Sequence, residues 1–205
     1  MKTKLIILLL LINLISCKKT EENQSETYNE KINKTETKGK ENIEFNFDNF
    51  LISKGQIGEI KVGMNLNNAE KLLREMTSKE VEAYDFGYGG GGKAYIYSIY
   101  DEPIFALITN FETGKIIALI AISNKLKTNN GLNPNSKVAD ILKIYPKMMI
   151  NQDEMTNEEY LYDQKNKWSF IFKTDEKNRI GEYTDTEEST EPKRMQTKMN
   201  YLLIE

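Results

Sequence analysis

Apolar residues are distributed along the chain in three regimes. Leu5 to Ile15 is apolar except for Asn13. From Lys18 to Glu44 the only sizeable apolar side chains are Tyr28, Ile32 and Ile43. From about Phe45 apolar residues return with a period and continue to Ile204. Segments 79–85, 93–100, 103–110 and 116–123 read as strands, as do 148–151, 159–163, 168–173 and 200–204. Pro103 to Ile108 and Ile116 to Ile122 are apolar and β-branched on both faces, the pattern of central strands covered on both sides. Glu112-Thr113-Gly114-Lys115 between them reads as a hairpin turn, with Gly114 free to take positive φ.

Two further segments share a pattern at an offset of 72 residues. Leu66, Ala69, Leu72 and Leu73 match Val138, Ile141, Ile144 and Tyr145. The spacing i, i+3, i+6, i+7 predicts a short helix with one buried face in each copy. Asn65 or Asn67 is the expected N-cap of the first, and Ser136 of the second. Pro146 stops the second. Helix followed by antiparallel meander, twice, predicts an α+β domain over 45–205. Its two tandem units would cover about 50–128 and 129–205.

The first segment is too short to span a bilayer, which takes roughly 20 residues. Lys2 and Lys4 ahead of it complete a secretory-signal pattern. Leu14-Ile15-Ser16-Cys17 resembles the lipobox of bacterial lipoproteins. The resemblance implies cleavage after Ser16, lipid on Cys17 and anchoring without a protein span, since two or more acyl chains hold stably. Lys18 rather than Asp follows, which by resemblance to the enteric sorting rule implies no inner-membrane retention. Lys18-Lys19-Thr20-Glu21-Glu22 is also similar to short charged surface-export signals. The expected site is the cell envelope: outer membrane, facing the periplasm or the cell surface.

Residues 18–44 hold six Lys and seven Glu in 27 residues. Such a segment buries too little surface to offset ordering entropy and reads as a disordered tether. As a coil it would reach roughly 30 Å. A solvated helix with Glu–Lys pairs is the alternative, though no apolar helical period supports it.

The segment around Ile60-Lys61-Val62-Gly63-Met64 resembles the lead-in of BamE/SmpA and β-lactamase-inhibitor-protein repeats, where such a turn opens a short helix on an antiparallel sheet. Asn65 stands where that pattern prefers Thr or Ser, and Asn135-Ser136 replaces Gly-Met in the second copy. The resemblance implies binding and assembly rather than catalysis, and it transfers no functional residue.

Composition narrows the chemistry. The 205 residues contain no His and one Cys. This removes Ser-His-Asp and Cys-His catalysis, His-based zinc sites and disulfide frameworks. A net charge of −3 argues against a nucleic-acid partner. Gly87 to Ala94 nearly matches a phosphate loop, but Ala94 lacks the hydroxyl for Mg²⁺ and the sequence after it is strand-like, so no nucleotide is expected. The acidic runs Asp153-Glu154, Glu158-Glu159 and Asp185 to Glu191 lack EF-hand spacing, and no metal or cofactor is expected. A glycosidase-type carboxylate pair stays open.

Tyrosines gather around the glycines: Tyr84, Tyr88, Tyr95, Tyr97 and Tyr100. Either they form a half-buried sheet surface, or Tyr84, Tyr88, Tyr95 and Tyr97 mark a partner-binding edge beside a mobile glycine loop. The leading expectation is a lipid-anchored, non-catalytic binding or assembly module with an envelope protein partner. An envelope inhibitor of a hydrolase, such as a lysozyme or protease, is the alternative. A carboxylate-dependent hydrolase is the third.

Overall fold

The computed structural model describes residues 45–89, 92–153, 155–184 and 189–205. The signal segment, Cys17 and the tether lie outside them.

A 3₁₀ turn at Phe47–Phe50 leads into three strands of two residues each, β1 (Ile52–Ser53), β2 (Gln56–Ile57) and β3 (Ile60–Lys61), paired in that order. Helix α1 (Leu66–Leu72) follows, then β4 (Thr77–Glu82), a 3₁₀ turn at Ala83–Phe86, β5 (Lys93–Ile99), β6 (Glu102–Thr109) and β7 (Ile116–Ala121). Helix α2 (Val138–Ile144) precedes β8 (Ile150–Asp153), β9 (Glu158–Asp163), β10 (Trp168–Lys173) and β11 (Tyr201–Ile204). The last eight strands form one antiparallel sheet, in order β4-β5-β6-β7-β11-β10-β9-β8. The α+β class holds, with strand predominating among the described residues.

The chain before each helix docks in the same way. Gly63 and Asn135 both take positive φ, +85° and +114°. Met64 then donates to Lys61 O at 3.1 Å, and Ser136 to Asn133 O at 2.8 Å. Leu66 N–H reaches Gly114 O, just before β7, and Val138 N–H reaches Thr197 O, just before β11. Asn65 caps α1 by accepting from Asn67 N–H. At α2 the cap position falls to Lys137, not Ser136. The Ser136 hydroxyl instead accepts from Asn133 N–H.

The helix faces differ from expectation in one place. Ala69, Leu73, Val138 and Ile141 are buried, but Leu72 is 48% exposed and Ile144 only half-buried. At about 100° per residue, i+6 lies about 120° from position i, off the stripe that i, i+3 and i+7 define.

Side chains alternate across the sheet. Its first face carries large residues, among them Phe105, Leu107, Leu119, Phe170, Phe172 and Leu202, under the helices and the small sheet. Its second face carries Ala94, Ala106, Ala118, Ile108, Ile120 and Ile171. Strands β6 and β7 are buried on both faces, as their sequences imply. The hairpin between them closes with Gly114 at φ +64°, and the Asn110 carboxamide oxygen accepts from Glu112 N–H, Thr113 N–H and the Thr113 hydroxyl.

Candidate functional site

The connection from β4 to β5 is packed over residues 83–89, while Gly90 and Gly91 of the expected mobile loop lie outside the described residues. Residues 83–89 fold back over the second face as an arch. Three strand alanines beneath it, Ala94, Ala106 and Ala118, belong to the same buried cluster as Ala83, with Phe86 and Tyr88 packed against them. Their small volume lets a backbone segment lie close to the sheet. Gly87, at φ +78°, ends the 3₁₀ turn and donates to Tyr84 O at 2.9 Å. A Cβ at Gly87 would sit 3.5 Å from a Thr156 methyl and 3.7 Å from a Glu158 carboxylate oxygen, so the arch reaches as far as β9. Gly92 closes the return at φ +124°, where a Cβ would come within 2.9 Å of Thr109 O. The chain then enters strand β5, not a helix.

Between the arch and strands β9–β11 lies a cleft of about 410 Å³. Phe86, Tyr88, Tyr160, Tyr162 and Tyr201 line it together with the carboxylates of Asp153, Glu158 and Glu205. Tyr88 donates its hydroxyl hydrogen to Glu205 at 2.8 Å. Tyr201 donates to Glu158 at 2.9 Å. Phe86 meets the Tyr201 ring edge-on, with centroids 5.9 Å apart. The Lys173 ammonium lies 3.6 Å from Glu158 and 5.5 Å from the centre of the Tyr201 ring.

Burial, followed by the neighbouring carboxylate, raises the pKa of both Tyr88 and Tyr201 well above the usual phenol value. Both phenols are therefore fixed as neutral donors and their carboxylates as acceptors. The arrangement offers aromatic faces and negative charge, the features that attract a cation.

The four tyrosines singled out by the sequence do not share a surface. Tyr84 is 66% exposed on the arch, and Tyr88 faces the cleft. Tyr95 and Tyr97 lie together on the opposite face of the sheet, as their alternation implies. Tyr97 is 2% exposed and stacks on Phe105 at 5.6 Å, which corrects its place on a binding edge: it is a core residue. Its hydroxyl finds no hydrogen-bond partner among the described residues, and burial pushes its pKa up to about 12.

Tyr160 and Tyr162 were missed. The signal was present, because Glu158, Tyr160 and Tyr162 stand at i, i+2 and i+4 on one face of a strand.

The acidic runs separate by role. Asp153 accepts from Met155 N–H and Thr156 N–H and so closes the β8–β9 turn. Glu159 points to the opposite face, fully buried. It accepts from Ile180 N–H at 2.7 Å, Gly181 N–H at 2.8 Å, the Tyr183 hydroxyl at 2.7 Å and the Thr174 hydroxyl at 2.6 Å. Four donors satisfy this carboxylate and tie the loop after β10 to the sheet. Among the described residues no group of three or more side chains is placed to hold a metal ion. Residues 185–188 and Glu154 lie outside that description.

No family model and no curated protein matches the sequence. Among solved structures the chain is similar to the uncharacterised protein yfeY from Escherichia coli, with a TM-score of 0.53 at 9% identity over 75% of this chain and 97% of that one. At this identity the likeness is one of fold alone.

Proposed function

We propose that this chain is a lipid-anchored, non-catalytic binding or assembly module of the bacterial cell envelope. Leu14-Ile15-Ser16-Cys17 carries the reading, because the chain's sole cysteine stands where a lipobox requires it. Lipid on Cys17 would hold the protein to the outer membrane, the tether 18–44 would give it reach, and an envelope protein would be its partner. The tyrosine- and carboxylate-lined cleft supplies a place for that partner to bind.

We read the domain as two tandem units, about 50–128 and 129–205. The 72-residue offset supports this. It recurs in the bounds of α1 and α2, in the positive-φ residues Gly63 and Asn135, and in the hydrogen bonds that lead into each helix.

Metabolic labelling with radioactive palmitate tests the anchor. The wild-type chain should take up label and Cys17→Ser should not; equal labelling of the variant overturns the reading.

One observation favours inhibition of a hydrolase as a second reading. Phe111 is 84% exposed at the tip of the β6–β7 hairpin, and the Asn110 side chain stiffens that tip through its three acceptances. A rigid loop presenting a bare ring suits insertion into a groove. Phe111→Ala should then abolish inhibition of whichever lysozyme or protease the wild type inhibits; unchanged inhibition removes the hairpin from the account.

A further inference from the structure

We propose that the cleft between the arch and β9–β11 binds a cationic side chain, arginine or lysine, presented by a protein partner. The inference rests on the binding-module reading and names the chemistry of its site.

Three observations carry it. The walls are aromatic: Phe86 and Tyr88 come from the arch, and Tyr160, Tyr162 and Tyr201 from the sheet. Ring faces attract ammonium and guanidinium groups, more strongly where water is excluded. The lining charges are all negative, from Asp153, Glu158 and Glu205. Two of these carboxylates are fixed in place by tyrosine hydroxyls, so their orientation is set before any ligand arrives.

The third observation is a cation already engaged with the site's chemistry. Lys173 reaches from β10 to Glu158 and over the ring of Tyr201. One end of the cleft thus already pairs an ammonium with a carboxylate and a tyrosine face. Lys173 is itself half exposed, with 52% of its side chain open to solvent. It is free to swing aside, and it neutralises one of the three lining carboxylates. The other two, Asp153 and Glu205, form no ion pair with a basic side chain among the described residues, and Tyr162 stands at the rim, 38% exposed.

The volume agrees with a single side chain and its flanking backbone. A site of about 410 Å³ lies near the lower end of the range for small-ligand pockets. An arginine fits the arrangement well, because its planar group can stack on tyrosine while its edge meets a carboxylate in two hydrogen bonds.

The test uses the full-length chain in a neutral detergent and three probes: blocked arginine (N-acetyl-arginine methylamide), blocked norleucine as an uncharged alkyl control, and tetramethylammonium. Amide chemical shifts report where each probe binds and with what Kd. Blocked arginine should give saturable shifts confined to residues 86–89, 158–162 and 201–205, and norleucine should give none. Tyr162→Ala combined with Glu205→Gln should raise the Kd about tenfold or more. Lys173→Met should lower it, since a competing cation is removed. Glu205→Gln alone, at a position whose loss leaves the core intact, keeps the test valid if the double variant unfolds; a rise in Kd of about threefold is then expected.

Several results would overturn the proposal. Norleucine binding as tight as arginine binding would make the cleft merely apolar. Arginine shifts elsewhere, a Kd indifferent to every substitution, or no saturable binding would equally contradict it. Binding of tetramethylammonium without arginine would assign the cleft to a quaternary head group instead of a protein partner. None of these outcomes alters palmitate labelling at Cys17, so the anchor and the cleft stand or fall separately.

Discussion

The two faces of the eight-stranded sheet are made by the same strands and behave differently. Along β6, Phe105 and Leu107 point to one side, Ala106 and Ile108 to the other. Along β11, Leu202 and Ile204 face the first side, Tyr201 and Leu203 the second. Large residues on the first face interdigitate with helices and a small sheet, and the result is a continuous apolar core. Alanines on the second face admit the backbone of the arch. The arch covers part of that face and leaves a polar, ring-lined cleft beyond it. Side-chain volume, alternating every second residue, thus decides which face is scaffold and which is open to a ligand.

Truncation on the first face should cost most. Phe105 is fully buried, with Tyr97 stacked at 5.6 Å and Phe50 at 5.9 Å. Phe105→Ala should lower the unfolding free energy by about 3–5 kcal/mol in urea titration. A loss under about 1 kcal/mol would show that this face is not the scaffold.

Glu159 is the polar counterpart on that face. Glu159→Ala strands two backbone amides and two hydroxyls that now share its carboxylate. A loss of about 3 kcal/mol is expected. Hydrogen exchange at Ile180 and Gly181 should accelerate with it, which distinguishes release of the loop from general unfolding.

On the second face the sensitivity should reverse, since enlargement rather than truncation does the damage. Ala106→Leu should cost about 1–3 kcal/mol by forcing the arch outward. Limited proteolysis should then cut within 83–89 before any core strand. If the variant is as stable and as resistant as wild type, the arch does not pack on these alanines.

How much of this was legible follows from the same physics. The eight long strands and the two helices announce themselves because each runs for several residues at a period of 2.0 or 3.6. The strands of the small sheet, two residues each, are too short to carry a period, and that sheet was not foreseen. The glycine run from 89 to 92 suggested a free loop. What packs is the residues ahead of it, and they pack against alanines on strands distant in sequence, which no local pattern reveals. Grouping Tyr88 with Tyr97 followed closeness in the chain, whereas the arch lays Tyr88 on the second face and the pleat of β5 turns Tyr97 to the first. Leu72 failed because i+6 lies off the helical stripe.

The smallest effects separate two tyrosines. Tyr88→Phe removes a hydrogen bond to Glu205 and should cost about 1 kcal/mol. Tyr97→Phe removes a buried hydroxyl without a partner among the described residues and should be neutral or slightly stabilising. The pH dependence follows from the raised phenol of Tyr97. Its folded pKa of about 12 exceeds the ordinary value of 10.0, so the folded state favours the protonated form. That contribution is complete below pH about 10 and is lost as pH rises toward 12. Tyr97→Phe should flatten this part of the stability curve, and an unchanged curve would place the titration elsewhere.

Site-specific photocrosslinking in intact cells tests the division between the faces most directly. A benzophenone side chain at Tyr162, at the mouth of the cleft, should give one discrete protein adduct, weakened when Glu205→Gln is added. The same group at Leu72, exposed on the helix side of the sheet, should give none. An adduct from Leu72 with none from Tyr162, or a Tyr162 adduct indifferent to Glu205→Gln, would contradict the assignment of recognition to the second face.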